Sequence, residues 1–207
     1  MSISKIISKK SIFTNTITGE EEIMSVQAAL PDEQLMNCVK FGIDVDAMIE
    51  KAIQKELDYS FGLKHTNIII EYAKNSNNVV DVDLSNNLLN IQNSTIYKAG
   101  KIMQSIYKFV ISCHDPVVYT NIAISYILRD SKILTEYKNN YGNTGESYTY
   151  QIGAKTVKVD DSGDNDKDLR IPFFCIPSWG YDKTEMLAYD LNNPKACLYV
   201  DFRNVMP

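Results

Sequence analysis

The fold is decided by Asp44-Val-Asp-Ala-Met-Ile-Glu-Lys-Ala-Ile-Gln-Lys-Glu-Leu-Asp-Tyr-Ser-Phe61. Its apolar side chains recur every four residues and so fall on one face of an α-helix: Val45, Ile49, Ile53, Leu57 and Phe61. Asp44 is a favourable N-cap, and charged residues occupy the other faces. The pattern predicts a long helix over residues 44–75 that packs one side inward. Residues 68–70 fit either a continuation of this helix or a separate strand, because a short apolar run is compatible with both.

Shorter elements are predicted before this helix. β-Branched residues up to Gly19 favour a strand or an extended arm. Pro31 followed by Asp32 and Glu33 is typical of a first helical turn, and Gly42 suits a left-handed C-terminal cap. A short helix is therefore expected between Pro31 and Gly42.

Strands and helices are predicted to alternate after residue 75. Residues 79–84 favour a strand, and Ser94 or Thr95 is expected to cap an amphipathic helix. The apolar segment Phe109-Val-Ile-Ser-Cys113 is interpreted as a buried strand, and Pro116 is expected to begin a third helix. These residues form a predicted strand, turn and helix unit.

The rest of the chain is turn-rich and β-like. Three apolar strands are predicted near residues 171–176, 186–189 and 196–202. No internal repeat is detectable. The order of elements predicts an α+β fold with a single domain over residues 1–207.

Composition narrows the classes of partner. The 207 residues carry a net charge of -5, and no basic run exceeds the pair Lys9-Lys10. The sequence predicts no basic surface to which a phosphate backbone could bind, so direct sequence-specific binding of nucleic acid is not expected. Apolar runs end after about four residues, whereas a membrane span needs about twenty, so no membrane segment is predicted and the protein is expected in the cytoplasm. The four cysteines are interpreted as small buried apolar side chains.

An acidic loop over residues 160–168 supplies the weak candidates for metal ligands, which are Asp164, Asp166 and Asp168. A calcium loop would place glycine at its sixth position and glutamate at its twelfth, where this chain has Leu169 and Cys175. A solvated hairpin loop is therefore favoured, and no metal or other cofactor is predicted.

Catalysis has few candidates, because His65 and His114 are the only histidines. In Cys113-His114-Asp115 adjacent side chains point in opposite directions along an extended segment, so a turn capped by His and Asp is favoured over a nucleophile and base. The chain also lacks the glycine-rich loops that bind nucleotide phosphates. No enzymatic activity is predicted. The alternative is a hydrolase that uses His114 with Cys113 or a metal site at Asp164 and Asp166.

Aromatic residues favour an interaction protein. Thirteen tyrosines spread along the chain, and a ring with a polar tip suits half-buried contacts. Trp179 lies in a rigid turn with Pro177 and Gly180. The candidate interface residues are Trp179, Tyr181, Tyr148 and Tyr150. A small adaptor that contacts one partner through the Trp179 turn and the acidic loop over 160–168 is one such protein.

Two parts of the sequence share their order of elements with a known family. The first runs from Lys5-Ile-Ile-Ser-Lys-Lys-Ser-Ile-Phe-Thr-Asn-Thr-Ile-Thr-Gly-Glu-Glu-Glu22 to the helix that begins at Asp44. The second joins residues 109–128 with Ile152-Gly-Ala-Lys-Thr-Val-Lys-Val-Asp160 and Ala196-Cys-Leu-Tyr-Val-Asp-Phe202. In order and pattern these parts resemble the major capsid proteins of tailed bacteriophages with the HK97-like fold, especially the T-even-like branch.

The resemblance implies an HK97-like capsid fold with a long spine helix at 44–75 and the mixed sheet of an axial-type region within 109–207. It implies a non-catalytic virion protein that forms an icosahedral shell with other copies of itself and other virion proteins, assembled in the host cytoplasm. No extended loop is predicted before the first strand, and the chain is shorter than a complete subunit of that family. A truncated, processed or divergent member, or a minor shell protein, is therefore implied. The alternative to self-association is a small viral or host-directed adaptor that uses the Trp179 turn and the acidic loop over 160–168.

Overall fold

A computed structural model describes residues 3–86, 90–131, 134–137, 149–152, 157–158, 166–167, 172–175 and 184–205. These residues form four helices and eleven strands, which confirms the α+β class. The chain folds as two compact units, Met1–Ile69 (unit 1) and Ile70–Pro207 (unit 2). The single domain over 1–207 stays a prediction.

Unit 1 begins with a long antiparallel hairpin. Strand β1 (Ile3–Thr14) pairs with β2 (Glu21–Pro31) as far as the pair Thr14 and Glu21. The Asn15 side chain accepts hydrogen bonds from the next backbone amides of the turn, and Gly19 has a φ of 78°, a left-handed conformation that favours glycine. The sequence predicted one strand or an extended arm up to Gly19, so the second strand of the hairpin, β2, was not predicted.

Two helices follow the hairpin. Helix α1 (Asp32–Lys40) ends before Gly42, which has a φ of 66°, as the predicted left-handed cap requires. Helix α2 (Val45–Asn75) begins after Asp44, whose carboxylate accepts hydrogen bonds from the amides of Asp46 and Ala47, both at 3.1 Å. The long helix is confirmed. The alternative strand at residues 68–70 is wrong, because those residues continue α2.

The core of unit 1 is the apolar stripe of α2 packed on the hairpin and α1. The stripe consists of buried Val45, Ile49, Ile53 and Leu57. The partly buried side chains that cover it are Ile7, Val26, Ala28, Leu30, Leu35, Cys38 and Phe61. Alternate residues of both strands face α2, as the period of a β-strand requires. One layer of side chains therefore stabilises the hairpin.

Unit 2 is built on a seven-stranded mixed sheet with the order β3-β11-β10-β4-β9-β6-β5. The bounds are β3 (Val79–Asp83), β4 (Pro116–Thr120), β5 (Leu134–Tyr137), β6 (Thr149–Ile152), β9 (Pro172–Cys175), β10 (Glu185–Asp190) and β11 (Asn193–Arg203). The pairs β11–β3 and β4–β9 are parallel, and the others are antiparallel. A separate two-stranded sheet joins β7 (Val157–Lys158) and β8 (Asp166–Lys167). The strands predicted near 79–84, 171–176, 186–189 and 196–202 are confirmed.

Helices α3 (Ile91–Ser112) and α4 (Ile122–Asp130) pack on this sheet. Their buried apolar residues are Ala99, Ile102, Ile106, Val110, Ala123, Ile124 and Leu128. The buried strand residues opposite them are Val118, Phe173, Met186, Ala188, Val200 and Phe202. These residues form one continuous core.

Three predictions about this region are wrong. The Phe109 to Cys113 segment is the end of α3 and not a strand, because Ile102, Ile106 and Val110 continue a helical period through it. Helix α3 begins after Asn90, whose side chain accepts hydrogen bonds from the next amides, rather than at Ser94 or Thr95.

Pro116 begins strand β4 and not a helix, since proline is tolerated at the first residue of a strand. The helix begins six residues later, at Ile122, after Asn121, whose side-chain oxygen accepts a hydrogen bond from the Ile124 amide at 3.0 Å.

Candidate assembly surfaces

The outer face of the hairpin carries exposed isoleucines. Ile12 and Ile23 lie directly opposite each other in the register and are 60% and 72% exposed. Ile6, on the same face, is also exposed. A two-stranded sheet that covers a core on one side normally carries polar residues on the other. We call Ile6, Ile12 and Ile23 the hairpin face.

Both edges of this hairpin are open in the described part of the chain, where β1 and β2 pair only with each other. An open edge presents a row of unpaired N–H and C=O groups to any strand that approaches. A two-stranded hairpin is also marginally stable alone in water. An element of this kind gains stability from whatever covers it.

Side-chain contacts hold the far end of the hairpin on α2. The rings of Phe13 and Phe61 meet edge to face, with centroids 5.5 Å apart. Lys64 forms an ion pair with Glu22 and lies over the Phe13 ring. Because these contacts use the inner face, the hairpin face remains turned away from the core of unit 1.

A second apolar surface lies at helix α1. Leu35 and Cys38 pack on the core, whereas Met36, Val39, Phe41 and Ile43 are exposed, Phe41 by 73%. No residue of this helix is buried. We call Met36, Val39, Phe41 and Ile43 the α1 patch.

A third apolar surface lies on α3. Ile96, Gly100, Tyr107 and Ile111 follow one another at spacings of four, seven and four residues, which keeps them on one side of the helix. All four are exposed, and they lie about 110° around the helix from the buried Ile102, Ile106 and Val110. We call Ile96, Gly100, Tyr107 and Ile111 the α3 stripe.

Most interface and metal residues predicted from the sequence lie outside the described residues. These are Trp179, Tyr181, Tyr148, Asp164 and Asp168. Tyr150 lies in β6, opposite Phe173 of β9, and Asp166 lies in β8, opposite Lys158. Within the described ranges, no three His, Cys, Asp or Glu side chains are grouped as a metal site. The roles assigned to these residues stay predictions.

The Cys113-His114-Asp115 segment forms a turn attached to β10. The His114 amide donates a hydrogen bond to the Asp190 carboxylate at 2.7 Å, and the Leu191 amide donates to the Asp115 carbonyl at 2.9 Å. The Cys113 thiol donates to the Phe109 carbonyl at 3.3 Å. Burial and the nearby charge of Asp190 raise the pKa of this thiol. A nucleophilic cysteine requires the opposite shift.

Two other thiols fit the prediction of small apolar side chains. Cys197 is buried, and burial raises its pKa to about 11. Cys38 is half-buried against the core of unit 1. Cys197 is therefore not placed as an activated thiolate would be.

Asp190 is a buried carboxylate that fixes this turn. Burial raises the pKa of Asp190, but hydrogen bonds from the backbone amides of His114, Asn192 and Asp115 outweigh that effect, so the pKa lies below its usual value. A pKa that is lower in the folded state contributes stability above the unfolded value, and this contribution is lost as the pH falls through the folded value.

We expect Asp190→Asn to lower the free energy of unfolding by about 2 kcal/mol at neutral pH, since hydrogen bonds to a charged group are lost. The difference from the unchanged protein should shrink as the pH falls below about 4, where the unfolded carboxylate binds a proton, and should vanish as the pH falls through the lower pKa of the folded state. Urea unfolding followed by circular dichroism across this pH range measures both effects. The exposed Asp130→Asn is the control, with an expected change under about 0.5 kcal/mol. A pH-independent difference would contradict the assignment.

No helix within the described ranges is both long and apolar enough to cross a membrane. No protein-family model matches the chain, and comparison with curated proteins and with solved structures finds no match.

Proposed function

We propose that this chain is a viral structural protein that self-assembles into an icosahedral shell, with an HK97-like capsid fold and no catalytic role. The observation that carries the proposal is the long hairpin with isoleucines on its outer face and two open edges. A shell subunit works through the area it buries against its neighbours and through symmetry, and it needs no active site.

The energetics of the hairpin support association between copies. Burying one isoleucine side chain contributes about 1.5 to 3 kcal/mol, so the three residues of the hairpin face can supply several kcal/mol when a neighbour covers them. Strand pairing along an open edge would add main-chain hydrogen bonds and fix the orientation. These contributions are available only when a second chain arrives.

The order of elements also supports the proposal. The hairpin precedes a helix of 31 residues, and a mixed sheet follows. A long helix ahead of a mixed sheet is what the resemblance to tailed-phage capsid proteins implies. The proposed partners are therefore other copies of this chain and other virion proteins, with assembly in the host cytoplasm.

Sedimentation velocity and electron microscopy of the purified protein test this function. We expect large discrete species that grow with concentration and closed particles in the images. A protein that remains monomeric at every concentration, or that binds one different partner as a simple complex, would exclude a shell role.

A further inference from the structure

The charges on the outer side of the hairpin are placed so that this side complements a second copy of itself. We propose that two copies of the hairpin pack face to face with their strands in opposite directions, about a twofold axis that passes between their Ile12 and Ile23 pairs. This inference rests on the proposed self-association, and it names the partner of the hairpin face and its orientation.

The outer side of the hairpin carries only two charged residues. Alternate residues within 6–14 and 21–29 lie on this side, and all of them are exposed. Lys10 and Glu21 are the charged ones, and the others are apolar or uncharged. A second chain that covers this side therefore removes few charges from water, which is the costly part of burying a polar surface.

Lys10 and Glu21 lie at equal distances on either side of the isoleucine pair. In the register, the pair Lys10 and Ser25 comes two residues before Ile12, and Glu21 lies opposite the residue two positions after Ile12. At about 3.4 Å per residue, the two charges are about 14 Å apart along the strands. Salt screens exposed charges over about 8 Å, so Lys10 and Glu21 interact little within one copy.

The neighbouring charges on the inner side are bound within the chain. Lys9 donates a hydrogen bond to Gln54, and Glu22 forms an ion pair with Lys64. The side chains of Lys10 and Glu21, in contrast, make no hydrogen bond or ion pair with any other described residue. These two charges are therefore available to a second copy.

Charge selects one of two symmetric arrangements. If the strands of two copies ran in the same direction, Lys10 would meet Lys10 and Glu21 would meet Glu21, and like charges at an interface weaken binding. With the strands in opposite directions, Ile12 and Ile23 meet their own copies and Lys10 lies at the level of the second copy's Glu21. The contact is isologous, so this pair of opposite charges forms twice.

Ile6 lies outside this contact, although it belongs to the hairpin face. It precedes Ile12 by six residues, and six residues beyond Ile12 the chain is in the turn of the hairpin. No strand of the second copy therefore lies at the level of Ile6. The pairing predicts that Ile6 contributes much less than Ile12 to association.

Charge reversal in the full chain tests the pairing. Lys10→Glu and Glu21→Lys each replace two attractive contacts of the dimer by two repulsive ones. We expect each single variant to weaken association about tenfold at low salt. The double variant with both changes should associate as the unchanged protein does. An equal mixture of the two single variants should also recover association, because the mixed dimer has opposite charges at both contacts.

Sedimentation velocity measures this association at concentrations below those at which large particles form. Lys195→Glu and Glu50→Lys are the matched controls, since both residues are exposed outside the hairpin and make the same changes in net charge. They should leave association unchanged. Ile12→Lys should weaken association about a hundredfold, whereas Ile6→Lys should weaken it less than about threefold.

Cross-linking of lysine amines directly to carboxylates measures the orientation. In an equal mixture of isotope-labelled and unlabelled protein, we expect linked peptides that join Lys10 of one copy to Glu21 of the other. Such links, together with recovery of association in the double variant and in the mixture, support the pairing. Recovery in the mixture also excludes misfolding as the cause of the loss, because each component carries its own change.

The pairing and the proposed function fail in different ways. If the unchanged protein associates but the single variants associate equally well, the pairing is wrong while the shell function stands. The same holds if Ile6→Lys weakens association as much as Ile12→Lys, or if no link between Lys10 and Glu21 forms. If the unchanged protein is monomeric at every concentration, the pairing and the proposed function both fail.

Discussion

The double variant Ile12→Lys with Ile23→Lys should abolish assembly. The two side chains lie opposite each other on the hairpin face and are mostly exposed in the single chain. Each buried isoleucine contributes about 1.5 to 3 kcal/mol to an interface, so their removal should weaken association by about a thousandfold or more. Two lysines at the same place would also have to lose their hydration. Sedimentation velocity should show monomers at concentrations where the unchanged protein assembles.

Two controls separate assembly from folding. Ile12→Thr with Ile23→Thr keeps β-branched side chains in the strands and should give a smaller loss of the same kind. Ile91→Lys with Leu191→Lys removes the same number of exposed apolar side chains from unit 2 and adds the same charge. The far-UV circular dichroism spectrum should be unchanged in all three double variants, the lysine variant of the hairpin and its two controls. Full assembly of the lysine variant of the hairpin would remove the observation on which the proposed function rests.

Leu57→Ala should release the hairpin from α2. Leu57 is 1% exposed in the core of unit 1, and replacing a buried leucine by alanine costs about 2 to 5 kcal/mol. The loss of stability should concentrate in the hairpin and α1, because one apolar stripe of α2 holds both strands and α1. A loss of about 3 kcal/mol raises the rate of amide exchange roughly a hundredfold in the elements that open.

Hydrogen exchange with mass spectrometry resolves where that loss occurs. Peptides from β1 and β2 should exchange faster in Leu57→Ala, whereas peptides from β10 and β11 should keep their protection, since unit 2 has its own core. Glu56→Ala, an exposed neighbour on the same helix, should leave both sets unchanged. Equal loss of protection in both units would show that they unfold together.

Periodicity predicts the parts of this fold in which one face is apolar. Helix α2 followed directly from residues spaced four apart, and β10 and β11 followed from continuous apolar runs. Periodicity fails where a short apolar run fits two structures. Phe109 to Cys113 contains enough apolar residues for a strand, and only Ile102 and Ile106 upstream show that a helix passes through it.

The candidate surfaces were harder to predict than the fold. Ile6 and Ile7 are adjacent and equally apolar, but Ile7 packs on the core and Ile6 is exposed. Only the register of the hairpin distinguishes them, because neighbouring side chains of a strand point to opposite faces. The α3 stripe gave a visible signal, since Ile96, Tyr107 and Ile111 lie off the period of the buried residues. The sequence interpretation instead favoured Trp179, because of its turn with Pro177 and Gly180, and the tyrosines, because of their number.

The strand order in unit 2 determines when its sheet can close during synthesis. Strand β11 lies between β3 and β10, although it follows β3 by more than a hundred residues in the chain. The edge of β3 therefore has no partner on the β11 side until residues 193–203 have left the ribosome. The contacts of unit 1 are local and can form much earlier, because closing long loops slows folding. We expect the sheet of unit 2 to form slowly, so that a nascent chain presents its hairpin before this sheet has closed.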